Sequence, residues 1–322
     1  MKNVAIVAGG DSSEYEVSLK SADGLFGFID KSRYNLYIVI LRNSKWTVKM
    51  PDGSTSDIDK NDFSFQTGGH KVKFDYAYIA IHGRPGEDGR LQGYFDIIGI
   101  PYSSCGVLAG ALTFNKYINN QFLKSQGVRI ADSIRLLKGQ KMETGDIIRQ
   151  LGLPVFVKPN DGGSSFGVTK VKEASQMQPA IEKAFAEGQE VVIERFIEGT
   201  EITCGCYKTK IKQMAFPITE VVTDNEFFDY NAKYNGEVRE ITPARISDEL
   251  TARIQQETLR IYDIIGARGI IRIDYIIPED NNPVLLEINA TPGMTATSFI
   301  PQQIQAAGLD VKDIMTDIIE NT

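Results

Sequence analysis

Strand patterns and helix patterns alternate along the chain, and this alternation predicts an α/β fold. The clearest strand is the apolar run at 3–8, which Gly9 and Gly10 end before a helical stripe of apolar residues begins. With 322 residues, the chain is long enough for two or three domains. Its 42% hydrophobic and 24% charged residues are typical of a folded protein rather than a disordered one.

Charge, apolar runs and cysteines exclude several classes of protein. A net charge of −7 and a pI of about 5.1 argue against nucleic acid as a partner. No apolar run approaches the ~20 residues that span a bilayer, and the run at 2–8 is too short for a signal peptide. Three cysteines form no even framework, so we expect a cytoplasmic protein in which Cys204 and Cys206 are buried thiols rather than metal ligands.

Hydrophobic periodicity predicts the order of the elements. Ser13 and Glu16 have the spacing of a capping box, so we expect a helix to begin there. The polar stretch 43–70 contains turn residues and is interpreted as an insertion of hairpins or loop. The remaining predicted strands are 36–41, 76–82, 154–158, 168–171, 191–194, 201–208, 269–277 and 284–289, and the remaining predicted helices are 90–98, 107–126, 175–187 and 247–265.

The most informative segment is a predicted hairpin at 271–289. Side chains alternate along a strand, so Arg272 shares a face with Asp274, and Glu287 shares a face with Asn289. Such oxygen ligands suit a Mg²⁺ ion that also holds nucleotide phosphates, and a neighbouring arginine would neutralise developing negative charge. The site requires the register that puts Asp274 on the same side as Glu287. The alternative is a half-exposed hairpin with surface charges.

Two further segments indicate nucleotide binding. The glycine-rich loop at 160–167 lies between strands, so it is neither a Walker A loop nor a dinucleotide fingerprint. Its glycines would bring backbone N–H groups close to a triphosphate, which Lys158 can also reach. A flexible hairpin without a ligand is the alternative. The polar segment 223–240 carries four aromatic residues and is interpreted as a lid.

The order of lysine strand, glycine loop, acidic strand end at Glu194 and carboxylate hairpin resembles the ATP-grasp superfamily. The fuller resemblance is to D-alanine–D-alanine ligases and covers nearly the whole chain apart from about 43–72. The matching stretches are 9–18, 82–89, 158–167, 229–234 and 287–295. The resemblance implies a three-domain ATP-grasp architecture with an N-terminal parallel α/β domain at 1–103, a central α+β domain at 104–193 and a C-terminal α+β domain at 194–322.

The resemblance also implies a role for each matching residue. The implied substrate residues are Glu14 at the ammonium of the first D-alanine, its partners Ser164 and Tyr234, the neighbouring His82, and Ser298 and Phe299 at the carboxylate of the second. The implied ATP-binding residues are Lys116, Lys158, Ser165, Glu194, Arg195, Phe196, Ile197, Glu201 and Lys233. The implied ligands of two Mg²⁺ ions, replaceable by Mn²⁺, are Asp274, Glu287 and Asn289, and the implied oxyanion stabilisers are Arg272 and the Gly293 N–H.

The activity implied by the resemblance is ATP-dependent formation of D-alanyl-D-alanine through an acylphosphate, for cell-wall precursors, by a homodimer. Two departures from the family pattern are visible: Arg195 stands where many relatives have lysine, and Phe299 is larger than the expected leucine. Simpler explanations stay open for single residues. Glu14 would suit any first helical turn, and Ser298 would suit any helix N-cap. His82 would suit a strand end, and Lys233 and Tyr234 would suit a solvated loop.

Three other functions compete with this interpretation. A D-alanine–D-lactate ligase is disfavoured because Tyr234, which such relatives tend to replace, is present. Another ATP-grasp carboxylate–amine ligase is disfavoured by Glu14 and by the run at 82–89. A non-catalytic ATP sensor would lack a metal ligand or a phosphate lysine, and none is missing.

Overall fold

The computed structural model describes residues 1–163, 166–223 and 238–322, and three sheets organise this part of the chain. In the first sheet, β1 pairs in parallel with β2 and β7, while β2 to β6 are antiparallel neighbours. Its spatial order is β6 (His70–Lys73), β5 (Ser64–Thr67), β4 (Thr55–Asp59), β3 (Lys45–Lys49), β2 (Tyr34–Arg42), β1 (Lys2–Gly9) and β7 (Tyr76–Ile79). The 43–70 insertion therefore forms hairpins that extend the predicted parallel core.

Two helices cover the faces of this sheet because the side chains of β1 alternate. Val4 and Ile6 pack in the cluster of α1 (Tyr15–Phe28), whereas Ala5 and Val7 pack in the cluster of α2 (Arg90–Ile98). This burial on both faces explains why the strand reads as a continuous apolar run.

The second sheet is antiparallel, with the order β10 (Thr169–Val171), β9 (Val155–Pro159), β11 (Glu190–Arg195) and β8 (Ser133–Leu137). Two helices complete its hydrophobic core, α5 (Thr144–Leu151) and α6 (Met177–Glu187). In this core, the buried Ile147 and Met177 pack with Val157 from the middle of the sheet.

The third sheet is also antiparallel and carries the predicted hairpin. Its order is β15 (Val238–Ile241), β14 (Thr219–Thr223), β12 (Thr200–Lys208), β16 (Gly269–Ile277) and β17 (Val284–Asn289), and β13 (Gln213–Ala215) pairs with β12. The helices packed around it are α3 (Val107–Phe114), α4 (Lys116–Ser125), α7 (Asp248–Ile264), α8 (Phe299–Ala306) and α9 (Val311–Asn321). Cys204 and Cys206 are fully buried in its core, as predicted.

Three predicted boundaries are wrong. Helix α1 begins at Tyr15, with Glu14 in the N-cap position, so Ser13 and Glu16 form no capping box. The predicted helix 107–126 is two helices, because the Asn115 side chain accepts a hydrogen bond from Ile118 N at 2.9 Å and starts a new helix. Strand β7 ends at Ile79 rather than at 82, where its pairing with β1 stops.

A search of the described ranges finds no helix with both the length and the apolar character that crossing a bilayer requires.

Candidate active site

The predicted hairpin has the register that a metal site requires. Asp274 lies opposite Glu287, and Arg272 lies opposite Asn289, so all four side chains face the same side of β16 and β17. The apolar residues between them pack into the core on the other face. The neighbouring strand β12 adds Thr203, which lies opposite Asp274.

The carboxylate of Asp274 is saturated with hydrogen bonds. Its Oδ1 accepts from Arg272 Nε at 2.8 Å and from Thr203 Oγ1 at 2.5 Å. Its Oδ2 accepts from Arg272 Nη2 at 2.7 Å and from Asn289 Nδ2 at 3.0 Å. A carboxylate has about four acceptor positions, so in this state each of them is filled.

The chemistry of the donor set fits a divalent cation. Two carboxylates, Asp274 and Glu287, and the amide of Asn289 offer the oxygen ligands that Mg²⁺ prefers. Within the described ranges, no three His, Cys, Asp or Glu side chains form a metal site on their own, so the amide oxygen and bound phosphates would have to complete this one. A cation at Oδ2 of Asp274 must displace Arg272 or the N–H of Asn289, whose amide can turn its oxygen inward.

Arg272 is a buried charge with two partners. It is only 7% exposed, and it pairs with Asp274 through two parallel hydrogen bonds. Burial alone would lower the pKa of Arg272, but the adjacent Asp274 carboxylate outweighs burial and raises the pKa above its usual range. The ring of Phe299 lies beside the guanidinium, with its centroid 5.2 Å away.

Two lysines reach the same region from different elements. Lys116, at the first position of α4, donates to Gly162 O at 2.5 Å and lies 3.7 Å from Glu287. Lys158, on β9, forms a 2.6 Å ion pair with the buried Glu194. Burial lowers the pKa of Lys158, but Glu194 and Glu287 raise it further, so this lysine remains charged at neutral pH.

The segment that directly follows β11 forms an aromatic wall. Phe196 contacts Phe156, with ring centroids 5.9 Å apart, and the ammonium of Lys170 lies 3.7 Å from the centre of the Phe196 ring. Ile197 follows, half-buried, at the hinge into β12. Arg195 instead lies at the surface, where its guanidinium donates to Gln150 O at 3.4 Å.

Glu201 is half-buried near the amino end of β12, two residues before Thr203, and therefore faces the same side of the sheet. Its negative charge helps to raise the pKa of Arg272, after the larger effect of Asp274. The predicted ribose ligand thus belongs to the same charged face as the candidate metal ligands.

The first sheet brings Glu14 to the glycine loop. Glu14 is 7% exposed, and a Cβ atom added to Gly163 would lie 2.8 Å from both carboxylate oxygens. His82 is also buried, and its Nε2 lies 2.9 Å from Ser21 Oγ. Its carbonyl accepts from Ser12 Oγ at 2.8 Å. His82 is therefore a hydrogen-bonded histidine shortly after a strand end that also lines the cavity beside Glu14.

Glu87 is a titratable neighbour that the sequence analysis left without a role. Burial and the negative charge of Glu14 raise its pKa to about 8, although its Oε2 accepts from Gly83 N at 2.7 Å. The carboxyl group lines the same cavity as Glu14 and Lys116.

The segment 291–298 closes the opposite wall. Ser298 occupies the N-cap position of α8, but its hydroxyl bonds the preceding turn: it accepts from Thr295 N at 3.0 Å and lies 2.8 Å from Thr295 Oγ1. A Cβ atom on Gly293 would lie 3.0 Å from Ser298 Oγ. On the other side, the backbone of Met294 contacts α1 so closely that a Cβ atom on Gly24 would lie 2.1 Å from Met294 O.

These walls enclose a cavity of about 570 Å³ between the first and third sheets, a size typical of ligand sites. The predicted residues that line it are Glu14, His82, Lys116, Arg272, Glu287, Asn289, Gly293, Ser298 and Phe299. Ser164, Ser165, Lys233 and Tyr234 lie outside the described residues, as does most of the predicted lid at 223–240.

Comparison with known proteins agrees with this architecture. The family profile described as "D-ala D-ala ligase N-terminus" matches residues 3–105, and "D-ala D-ala ligase C-terminus" matches residues 122–320. A D-alanine–D-alanine ligase from Parabacteroides distasonis is 69% identical over 99% of this chain and 97% of its own. One from Bacteroides fragilis is 65% identical over 99% of both chains.

Solved structures give the same result. A D-Ala:D-Ser ligase from Enterococcus faecalis has a TM-score of 0.87 at 29% identity, covering 99% of this chain and 98% of its own. A D-alanine–D-alanine ligase from Bacillus anthracis, at 32% identity, has a TM-score of 0.81 and covers 99% and 97%. The same Bacillus enzyme complexed with ATP has a TM-score of 0.79 at 29% identity, again covering 99% and 97%. With both profiles matched and near-complete coverage, the chain belongs to the D-alanine–D-alanine ligase family.

Proposed function

We propose that this protein joins two D-alanine molecules at the expense of ATP and so supplies D-alanyl-D-alanine for peptidoglycan precursors. The observation that carries the proposal is the cavity that Glu14 lines together with Lys116 and with Arg272, Glu287 and Asn289 of β16 and β17. One cavity thus offers the Glu14 carboxylate for a substrate ammonium group, and the Lys116 and Arg272 cations for phosphates.

The first step is transfer of the γ-phosphoryl group to the first D-alanine. A carboxylate oxygen of the substrate attacks phosphorus, the bond to the β-phosphate oxygen breaks, and ADP leaves. Phosphoryl transfer depends on positioning and charge neutralisation rather than on a protein nucleophile. Lys116 and Lys158 contribute positive charge beside Glu287, and Glu14 holds the substrate ammonium away from the reacting carboxylate.

The second step is attack by the amine of the other D-alanine on the acylphosphate carbon. A C–N bond forms, the C–O bond to phosphate breaks, and the amine proton leaves with solvent or phosphate. Arg272 and the N–H of Gly293, both in the cavity wall, would stabilise the oxyanion that forms on the way. Ser298, in the same wall, would bind the carboxylate of the attacking amino acid.

Two Mg²⁺ ions, or Mn²⁺ in their place, would neutralise the phosphate charges when held by Asp274, Glu287 and Asn289. Lys233 would add a further phosphate contact, Ser165 a hydroxyl donor, and Ser164 and Tyr234 the partners of Glu14. The aromatic wall at Phe196, with Ile197 and the backbone of Arg195, would hold adenine, and Glu201 would hold ribose. The segments 160–167 and 223–240 would exclude water from the acylphosphate.

The direct test follows phosphate and dipeptide together in mixtures of the purified protein, Mg-ATP and D-alanine. We expect equal amounts of phosphate and D-alanyl-D-alanine, and no product from L-alanine. Phosphate release without dipeptide would be consistent with an ATP-dependent ligase but would exclude D-alanine as both substrates. Mixtures of D-alanine with D-lactate or D-serine test the acceptor, because one of the similar folds is a D-Ala:D-Ser ligase.

We also propose that the chain divides at the boundaries expected from the sequence, 1–103, 104–193 and 194–322, each containing most of one sheet, although β11 crosses the second boundary. Helices α3 and α4 follow the first boundary but pack on the core of the third sheet, through Ala109 and Leu123. The second unit is therefore tied to the third. Limited proteolysis should therefore separate the first unit from the other two before it cleaves at the second boundary, which lies within β11.

We propose a homodimer that forms through the exposed ends of α2 and α3. Ile97 is 87% exposed and Leu108 is 79% exposed, and the two helices touch where a Cβ atom on Gly93 would lie 3.6 Å from Val107. Large exposed apolar side chains on two helices in contact are typical of an interaction surface. Sedimentation velocity of Leu108→Asp should show a monomer, whereas Ile211→Asp, at another exposed isoleucine, should stay dimeric. A monomeric wild type would exclude the dimer.

We infer a cytoplasmic location from the buried, unpaired thiols at positions 105, 204 and 206 and from the requirement for ATP. Cell fractionation should recover the protein with the cytoplasmic markers.

A further inference from the structure

Thr203 is a buried polar residue at the candidate metal site to which the proposed mechanism gives no role. It is 2% exposed and lies opposite Asp274 on the adjacent strand β12. Its hydroxyl donates to Asp274 Oδ1 at 2.5 Å, a length typical of a hydroxyl bonded to an ionised carboxylate.

The backbone of Thr203 is fixed by a second buried side chain. Gln303 on α8 is fully buried and donates from Nε2 to Thr203 O at 3.0 Å and to Thr219 Oγ1 at 3.0 Å. Its Oε1 accepts from Gly205 N at 2.9 Å. Together these bonds tie α8 to β12 and β14 around the position of Thr203.

Among the described residues, three donate to Asp274, and Thr203 is the one that bonds Oδ1 alone. Arg272 carries a positive charge on a long side chain, and its N–H is one of the two donors at Oδ2 that a cation could displace. Asn289 must turn its amide to offer oxygen instead of N–H. Thr203 is β-branched, buried and neutral, so its rotamer is restricted and its bond to Oδ1 repels no cation.

We propose that Thr203 is a positioning residue for the metal: it anchors Oδ1 of Asp274 and thereby turns Oδ2 toward Glu287 and Asn289. The inference rests on the proposed metal site of the ligase. Partners that orient a ligand typically change metal affinity by about 10–100-fold when removed. The hydroxyl of Thr203 therefore affects the affinity for the cation rather than the rate of phosphoryl transfer once the cation is bound.

The test compares Thr203→Val, which removes the hydroxyl at nearly constant size, with Thr203→Ser, which keeps it. Mn²⁺ binding is measured by electron paramagnetic resonance of free Mn²⁺ in the presence of protein and ADP, after subtraction of the same titration without protein. We expect Thr203→Val to weaken Mn²⁺ binding about 10–100-fold and Thr203→Ser to stay within about threefold of wild type.

A matched control lies in the core on the other side of the third sheet, where α7 packs against Tyr275 of β16. Thr258 is fully buried on α7, and its hydroxyl lies 2.9 Å from Tyr275 Oη in the core. Thr258→Val should lower thermal stability without changing Mn²⁺ affinity. If Thr203→Val does not fold, the Mn²⁺ affinity of Thr203→Cys is compared with that of Thr203→Ser instead. The cysteine thiol is a weak donor on a side chain as small as that of serine.

Turnover gives a second readout. With Thr203→Val, the Mg²⁺ concentration for half-maximal rate should rise, while kcat at saturating Mg²⁺ should remain within about threefold of wild type. Unchanged Mn²⁺ affinity in Thr203→Val, alongside normal binding by the wild type, would overturn the role of Thr203. No protein-dependent Mn²⁺ binding by the wild type would instead overturn the proposed metal site.

Discussion

Phe299 lines the cavity at a position where the family resemblance implied a leucine, and its ring lies 5.2 Å from the Arg272 guanidinium. Cation–π contacts contribute about 0.5–2 kcal/mol depending on burial. We therefore expect Phe299→Leu to lower kcat/KM for dipeptide formation roughly two- to thirtyfold. Initial rates at varied D-alanine concentrations measure this change.

The control for Phe299→Leu is the same substitution at another cation–π pair. Lys31 lies 4.3 Å from the ring of Phe26 on α1, and Phe26 is not among the residues that line the cavity. Phe26→Leu should leave kcat/KM unchanged. Equal losses in the two variants would mean that the loss at Phe299 reflects general packing rather than its contact with Arg272.

Glu87 gives a pH prediction for the protein without ligands. Its pKa, raised to about 8 by burial and then by Glu14, means that the folded chain holds a proton which the unfolded chain releases near pH 4.5. Stability therefore falls as pH rises from about 5 to 8, because the folded state binds more protons in this window. Glu87→Gln removes this loss, since a glutamine stays neutral and can still accept from Gly83 N.

Thermal unfolding at pH 5, 6.5 and 8 tests this expectation. The stability of Glu87→Gln relative to wild type should increase with pH, by about 1–2 kcal/mol, since the side chain is only half-buried. Parallel curves for the two proteins would contradict the raised pKa.

Period-two alternation was enough to predict the charged face of the hairpin, because side chains on a strand have only two sides. The sequence analysis did not single out Thr203, because threonine is common in strands for its shape alone. Its place on the charged face follows from its position two residues after Glu201 on the same strand. The pairing of Asp274 with Arg272 was not predictable, since it depends on which rotamer a long side chain adopts.

At the scale of elements, the base of the glycine loop is built against α1. Gly163 has an ordinary backbone conformation, yet a Cβ atom there would lie 2.8 Å from the Glu14 carboxylate. Gly163→Ala should displace that carboxylate and raise the KM for D-alanine about tenfold, with a smaller effect on kcat. Gly145→Ala, where an added Cβ atom meets no neighbour within 4 Å, is the matched control. An unchanged KM in Gly163→Ala would mean that Glu14 does not bind the ammonium.

Element type was predictable from periodicity, but element ends depended on single side chains. The apolar stripe of 107–126 continues across Asn115, so periodicity gives no sign of a break. The break depends on the Asn115 side chain and on Asn160, whose Oδ1 accepts from Tyr117 N at 2.8 Å. A contact between residues so distant in sequence cannot be recognised from local pattern alone.

For the whole molecule, one hydrophobic cluster joins both ends of the chain. Val4 and Ile6 of β1 pack with Leu25 of α1 and with Met315 and Ile318 of α9. Local periodicity predicted the strand and α1, but neither the contact between the first strand and the last helix nor a core shared by two sheets. These contacts depend on how the sheets pack against each other. The alternation of side chains along one strand carries no information about that packing.

The shared cluster predicts that the first sheet and α9 unfold together. Met315→Ala should destabilise the protein by about 2–5 kcal/mol, and the change should appear in the fluorescence of Trp46. This single tryptophan lies on β3, with its ring 5.2 Å from that of Tyr94 on α2. Met177→Ala, equally buried in the core of the second sheet, is the control and should shift the Trp46 transition less. Equal shifts would show that the whole chain unfolds as one unit.

The contact between β1 and α9 also sets the order in which a growing chain can complete its fold. At about 5–20 residues per second, synthesis of 322 residues takes roughly 16–64 s. During nearly all of that time, the apolar face of Val4 and Ile6 lacks Met315 and Ile318, which lie more than 300 residues later in the chain. This face of the first sheet is therefore incompletely covered until α9 has been synthesised, and the packing of α9 against α1 and β1 is added after the strands of the first sheet are complete.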